Sequence, residues 1–383
     1  MHRKRVLIVG GLHFSVDIYG GFFAIYMVIV GLDPVKAALI SSVASFISHG
    51  LQPLMGFWAD RIRGKMPVFL GVLVGAVSMS AIGVTKNYII LFCLVLMGTM
   101  GISLFHPAGI NIAGAAGLDR KERSVSIFIF IGTVGYSLSQ PYFSLITGVT
   151  GTQYSFILSL PAVILAFSYL LGSRIEISGP EQRLALKSFG RIFQGKFRIL
   201  LLLFVIMVLR HGFIMTLGFF IARVFSDWGF SRISYSFANT FYNLSGAVGI
   251  LASGIVTHRM KSRTLILISL TTFFPFFVIL ILAGMNGCLW PAFLALGVTG
   301  FILQLAHVSN IVLGHHIFPE GTSTISGILM GFAWAFGRMS LPLVPVFSNL
   351  FNWAPGLVSG LIVLLVLPII AVVLTLLLPK EFR

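Results

Sequence analysis

Charge is scarce in this 383-residue sequence. Only 9% of its residues are Asp, Glu, Lys or Arg, against about 25% in a typical soluble protein. The length would allow two or three soluble domains. With so few charges and 36 Phe, a water-facing surface for them cannot be built. Acids are scarcer still, ten against 26 Lys and Arg, for a formal net charge of +16. Cysteine occurs twice, as Cys93 and Cys288, each in an apolar run, which excludes a disulfide framework and a cysteine metal cluster. No GxSxG, no zinc-protease helix motif and no phosphate-binding P-loop is present, which argues against an intramembrane enzyme and against intrinsic ATP drive. No cofactor is therefore expected. A charged ring of the kind that selects ions in a channel is missing too.

What fills the sequence is apolar, 57% of it. A spanning helix needs about 20 mostly apolar residues. Twelve stretches qualify: 6–30, 35–58, 67–85, 88–112, 124–148, 152–172, 199–224, 229–256, 264–284, 289–316, 324–348 and 353–379. The first is too long for a cleaved signal peptide and carries Asp17. With the N-terminus in the cytoplasm, twenty basic residues fall in cytoplasmic segments. Lys36, Lys86, Arg223 and Arg232 alone lie opposite. That asymmetry is the positive-inside signal, and it sets both termini in the cytoplasm. The basic excess is thus explained by lipid, and no nucleic-acid partner is expected.

The longest polar stretch, 173–198, has six spans on either side. Its Gly179-Pro180 breaks helix, and RLALKSFGRIF is amphipathic enough to lie on a membrane surface. The expected domains are a six-helix bundle over 1–172, a cytoplasmic linker over 173–198 and a second bundle over 199–383. An internal repeat agrees. GFWADRIRGK runs from Gly56 to Lys65 after span 2, and GIVTHRMKSR from Gly254 to Arg263 after span 8. Repeats of this kind mark secondary transporters whose halves rock around a midplane site.

GFWADRIRGK resembles the loop 2–3 signature of the major facilitator superfamily. The resemblance implies an all-α membrane protein with twelve transmembrane helices in two pseudo-symmetric six-helix bundles. It implies a cytoplasmic gate at Gly56, Asp60 and Arg61, with Arg259 in the second copy, where His258 replaces the acid. GLQPLMGFWADR (50–61), GISLFHPAGINIA (101–113), SVSIFIFIGTVGYSLSQP (124–141) and ISGILMGFAWAFG (325–337) resemble the fosmidomycin-resistance branch, as does His13 four residues before Asp17. Members of that branch are inner-membrane exporters, and their namesake drug is a small phosphonate. Two departures stand out: Ala108 and Asn111 replace an acid and a base near Phe-His-Pro, and Gln140-Pro141 replaces the Gly-Pro of span 5.

Ionisable groups inside spans cost about 2.5–3.5 kcal/mol each on insertion scales, so they point to function. Asp17 is the one acid within an expected span. It lies about 11 residues into span 1, and Arg210 about 11 into span 7. At 1.5 Å per residue both are ~16 Å deep, near the midplane of a ~30 Å core. The resemblance makes spans 1, 4, 7 and 10 the cavity helices, and these carry His13, Asp17, His106, Arg210, His211 and His307. His13 and Asp17, four apart, share a helix face. They read as a proton relay with His106, or as a structural bond to span 5 or 7. His106 could instead satisfy the carbonyl that Pro107 frees.

Arg210 is a permanent charge suited to a substrate anion or to pairing with Asp17. Arg338 suits either substrate or a helix–helix bond. Tyr19, Tyr136, Gln140, Tyr242 and Asn243 complete the expected substrate contacts. His49, before the Gln52-Pro53 kink, reads as structural. No metal is expected, since no two histidines form an HxxxH pair within a span and two arginines repel cations.

The sequence thus predicts a monomeric, proton-coupled secondary transporter of a small organic anion in the bacterial inner membrane. Its partners are substrate, protons and the lipid bilayer, and export is the leading direction. Uptake of an anionic metabolite or of a metal chelate such as a siderophore is the alternative, with a channel or an intramembrane enzyme more remote.

Overall fold

A computed structural model of the chain describes residues 2–52, 54–55, 65–116, 121–172, 196–256, 259–318, 325 and 327–378. All of its regular structure among these is helical. The chain divides into two compact units, Met1–Glu181 and Gln182–Arg383. The first holds α1 (His2–Asp17), α2 (Phe22–Val30), α3 (Pro34–Gly50), α4 (Met66–Ala81), α5 (Tyr88–Ala116), α6 (Lys121–Thr150), a 3₁₀ stretch (Thr152–Ser159) and α7 (Leu160–Gly172). The second holds α8 (Phe197–Asp227), α9 (Arg232–Val256), α10 (Ser262–Met285), α11 (Leu289–Gln304), α12 (His307–Ile317), a π stretch (Gly327–Phe332), α13 (Ala333–Arg338), α14 (Leu343–Phe351), α15 (Val358–Val363) and α16 (Val366–Leu376).

Eight helical runs are long and apolar enough to cross a membrane: Leu7–Val30, Met66–Val84, Tyr88–Ala113, Thr152–Gly172, Phe197–Asp227, Ser262–Met285, Leu289–Ile317 and Val358–Leu376. The described residues of the other four expected spans are largely helical as well. Of these, α3 is 17 residues long, while α6 and α9 carry more polar side chains.

Several expected spans are broken rather than continuous. Span 1 turns at 18–21, directly after Asp17, where Gly20 and Gly21 weaken the helix. Gly31, at φ 69°, then closes α2 by donating its N–H to Met27 O. Span 11 breaks before Pro342, which has no N–H for the carbonyl of Arg338. Span 12 breaks at 364–365, and Pro368 leaves the carbonyl of Leu364 without its helical donor in the same way.

The first unit is organised by α4 against α5 and by α1 against both α5 and α6. Glycine sets the first of these distances. A Cβ on Gly101 would run into the backbone of Gly71 and Gly75. Such close approach is how helices gain packing energy in lipid, where no hydrophobic drive brings them together. Gly101→Val should therefore destabilise the protein by about 1–3 kcal/mol or more through overpacking. Thermal unfolding in detergent checks this, and an unchanged midpoint would show that α4 and α5 can separate freely. In the second unit α11 packs between α9 and α10, and α8 packs against α13 and α16.

Candidate functional site

In the first unit, three expected proton-site residues converge. His13 on α1 is buried, its ring stacked 3.9 Å from that of Phe128 on α6. Its Nδ1 lies 2.8 Å from the Phe128 carbonyl. His106 on α5 places Nδ1 2.7 Å from the Ile102 carbonyl. A carbonyl can only accept, so in both rings Nδ1 carries the hydrogen. In the neutral rings both Nε2 atoms are then lone-pair acceptors. They meet each other at 3.3 Å. His13 Nε2 stands 3.1 Å from Asp17 Oδ2, and His106 Nε2 stands 3.4 Å from Asp17 Oδ1. Acceptors converge here from three side chains, and they repel one another unless a positive particle sits among them.

The local fold explains the convergence. Gly132 leaves space for the His13 ring, which a Cβ there would strike. Asp17 is the last residue of α1, at the helix end where the macrodipole is negative, so a carboxylate there favours a nearby cation. The two expectations for His13 and Asp17 meet in one place. The bond to span 5 exists, through Phe128, and so does the contact with His106. His106 does not satisfy the carbonyl freed by Pro107, which is that of Ser103; it bonds Ile102 instead. The site is partly open, with the Asp17 side chain 16% and that of His106 26% exposed.

In the second unit, Arg210 on α8 is fully buried. Its Nη2 donates to Leu303 O, at the end of α11. Ser269 on α10 donates to Ile302 O (2.7 Å) and to Leu303 O (3.2 Å). Two side chains thus insert into the backbone ladder where α11 stops and α12 starts, and this accounts for a break that no Gly or Pro marks. Arg210 Nε and Nη1 have no partner among the described residues. His211 gives Nδ1 to Met207 O at 3.0 Å and leaves Nε2 unpartnered. Its ring lies 5.5 Å from that of His307 and 5.8 Å from that of Trp334. Among the described residues, His307 Nδ1, Trp334 Nε1 and both side-chain polar atoms of Asn310 are also buried without partners. Buried polar groups are normally bonded, so these atoms are suited to holding a polar ligand. Trp334 and Asn310 are the two residues here that an inventory of charges does not single out.

The remaining expected residues are dispersed. Tyr19 is buried, and its hydroxyl donates to Leu158 O at 2.8 Å. It lines a cavity of about 310 Å³ together with Phe14, Ser15, Tyr142 and Leu165, apart from the His13–Asp17–His106 group. Tyr136 is partly buried beside Gly20, and Gln140 is buried with Oε1 unpartnered. Tyr242 ties α9 to α8 through Ile214 O at 3.1 Å. Asn243 gives its amide to Asn239. Arg338 ends α13, partly buried. Arg259 is exposed after α9, while Gly56, Asp60, Arg61 and His258 lie outside the described residues.

The profile described as Major Facilitator Superfamily matches residues 6–342. Over 98% of its length the chain is 22% identical to an uncharacterized MFS-type transporter, YfnC, of Bacillus subtilis (strain 168), covering 93% of that protein. Over 82% of its length it is 23% identical to a fosmidomycin resistance protein of Escherichia coli (strain K12), covering 78% of it. Among solved structures, a variant of the nucleoside transporter NupG superposes with a TM-score of 0.79 at 14% identity, each chain 98% covered. A bacterial homolog of the human lysosomal transporter Spinster, in an inward-facing and unoccupied conformation, gives 0.76 at 13% identity, with 98% of this chain and 96% of that one covered. The shared fold is the twelve-helix, two-bundle arrangement.

Proposed function

The chain belongs to the Major Facilitator Superfamily and is a membrane transporter, and from that premise we propose that it is a proton-coupled secondary carrier of a small organic anion, with export as its direction. The observation that carries the reading is a division of labour. One unit holds an acceptor-only triad of His13, Asp17 and His106, suited to a proton. The other holds Arg210, with donors that have no partner among the described residues, near His211 and His307, whose rings face Trp334, suited to an anion. Arg338, Tyr19, Tyr136, Gln140, Tyr242 and Asn243 are secondary candidates for the substrate's path. Export draws its support from the likeness to the fosmidomycin resistance protein. The carrier works as a monomer in the bacterial inner membrane with both termini in the cytoplasm, the arrangement that the basic loops favour. In this reading the domains are two bundles, 1–172 and 199–383, joined by a 173–198 linker.

Counterflow in proteoliposomes tests this. Small phosphonates, anionic antibiotics and chelates are offered with and without a pH gradient. Accumulation of an anion that follows the gradient supports the reading. Accumulation of neutral or cationic solutes alone, or indifference to the gradient, overturns it.

The gate belongs to the same reading. Asp60 and Arg61, with Gly56 before them and Arg259 in the repeat, latch the cytoplasmic side while the other side is open. Asp60→Asn is expected to shift the population away from the outward-open state and leave the protein folded. Accessibility labelling with an unchanged distribution would remove Asp60 from that role.

A further inference from the structure

We propose that His13, Asp17 and His106 form a binding site for one divalent first-row transition-metal ion of the zinc class. The inference goes beyond the transport reading and stands without it. Its ground is the shape of the triad. Two ligand atoms each about 2.1 Å from a tetrahedral ion stand about 3.4 Å apart. The two Nε2 atoms are 3.3 Å apart, and each faces its own Asp17 oxygen, His13 Nε2 at 3.1 Å from Oδ2 and His106 Nε2 at 3.4 Å from Oδ1, so one ion comes within reach of all three side chains once the carboxylate turns one oxygen toward it. The three residues can each turn a ligand atom to the same point, all within 4.8 Å of one another.

The chemistry of the donors agrees with the shape. Two neutral imidazoles and one carboxylate are a borderline ligand set that suits Zn²⁺, Fe²⁺ or Ni²⁺ rather than Mg²⁺ or Ca²⁺. Metal-bound histidines characteristically donate their other ring N–H to a carbonyl, which fixes the tautomer and aims the lone pair. Both histidines do so, to Phe128 O and to Ile102 O. Stacking on Phe128 and the space at Gly132 hold the His13 ring in place. The carboxylate at the C-terminal end of α1 adds favourable potential for a cation. Partial exposure of Asp17 and His106 gives the ion a way in and leaves a coordination position open on that side. A bound ion takes the place of any proton among these acceptors, so the two occupants exclude one another.

The test uses the full chain in detergent with Zn²⁺, and with Co²⁺ as a spectroscopic stand-in. His315→Ala and His316→Ala are introduced first, because that adjacent pair at the end of α12 could bind zinc by itself. One Zn²⁺ per chain is expected, together with a visible Co²⁺ absorption that Zn²⁺ abolishes. Asp17→Asn and His106→Gln should each weaken binding at least tenfold. Absence of stoichiometric zinc overturns the site, and so does binding that neither substitution changes. X-ray absorption of the zinc-loaded parent protein needs no variant at the triad. Two imidazoles with oxygen donors support the site, and a shell without imidazole overturns it. Proton-driven transport by a protein that binds no zinc removes the metal site alone. Zinc bound by a protein whose transport ignores the pH gradient removes the coupling reading alone.

Discussion

Asp17→Asn is expected to abolish accumulation driven by a pH gradient while leaving substrate exchange intact. Asparagine matches aspartate in size, and its amide can donate to His13 Nε2 or His106 Nε2, which stand 3.1 and 3.4 Å from the carboxylate. The packing of α1 on α5 and α6 should therefore survive. What disappears is the one described carboxylate in contact with the two histidines, and with it the group that can alternate between charged and neutral. Exchange moves substrate both ways with no net proton, so it needs only the alternation of the bundles. Net accumulation needs the proton as well. Parallel measurements of counterflow and of gradient-driven uptake or export in the same vesicles separate the two. A variant that still accumulates substrate against its gradient would move the proton elsewhere, first to His106 or His307.

Much of this site was legible in the sequence. The i, i+4 spacing of His13 and Asp17 places them on one helix face, and an acid within an apolar run is too costly to be incidental. His106 was expected with them because the resemblance puts it on a cavity helix, but its contact with their side chains was not legible. It depends on how closely α1 approaches α5, a distance set by tertiary packing between segments some 90 residues apart. For the same reason a scan for HxxxH pairs along single helices does not see a triad drawn from two helices. The break between α11 and α12 was equally invisible. No Gly or Pro stands at 305–306, and the groups that hold it open, Arg210 and Ser269, arrive from α8 and α10. The bond from the Tyr19 hydroxyl to Leu158 O is another contact that helical periodicity cannot reveal.

Arg210→Ala should cost the transporter most of its affinity for an anionic substrate, and Arg210→Lys about 1–3 kcal/mol through loss of bidentate contact. A guanidinium taken from water needs partners, and one left without them is costly. Arg210 has one, Leu303 O, and its Nε and Nη1 have no partner among the described residues, near His211 and His307. Among the described residues no carboxylate bonds to it, so an anion brought by the substrate is the natural counter-charge. The same side chain also caps the end of α11, and its removal could act through stability instead. Ser269→Ala separates the two effects. It removes the other donor to Leu303 O without touching the charge, and should lower stability by about 0.5–1.5 kcal/mol while leaving anion affinity alone. Binding of charged and neutral substrate analogues, measured beside thermal unfolding for Arg210→Ala, Arg210→Lys and Ser269→Ala, decides the matter. If Ser269→Ala weakens anion binding as much as Arg210→Ala does, or if a neutral analogue binds wild type and Arg210→Ala equally well and no anion binds better, Arg210 is the cap of a broken helix and the substrate's charge is recognised elsewhere.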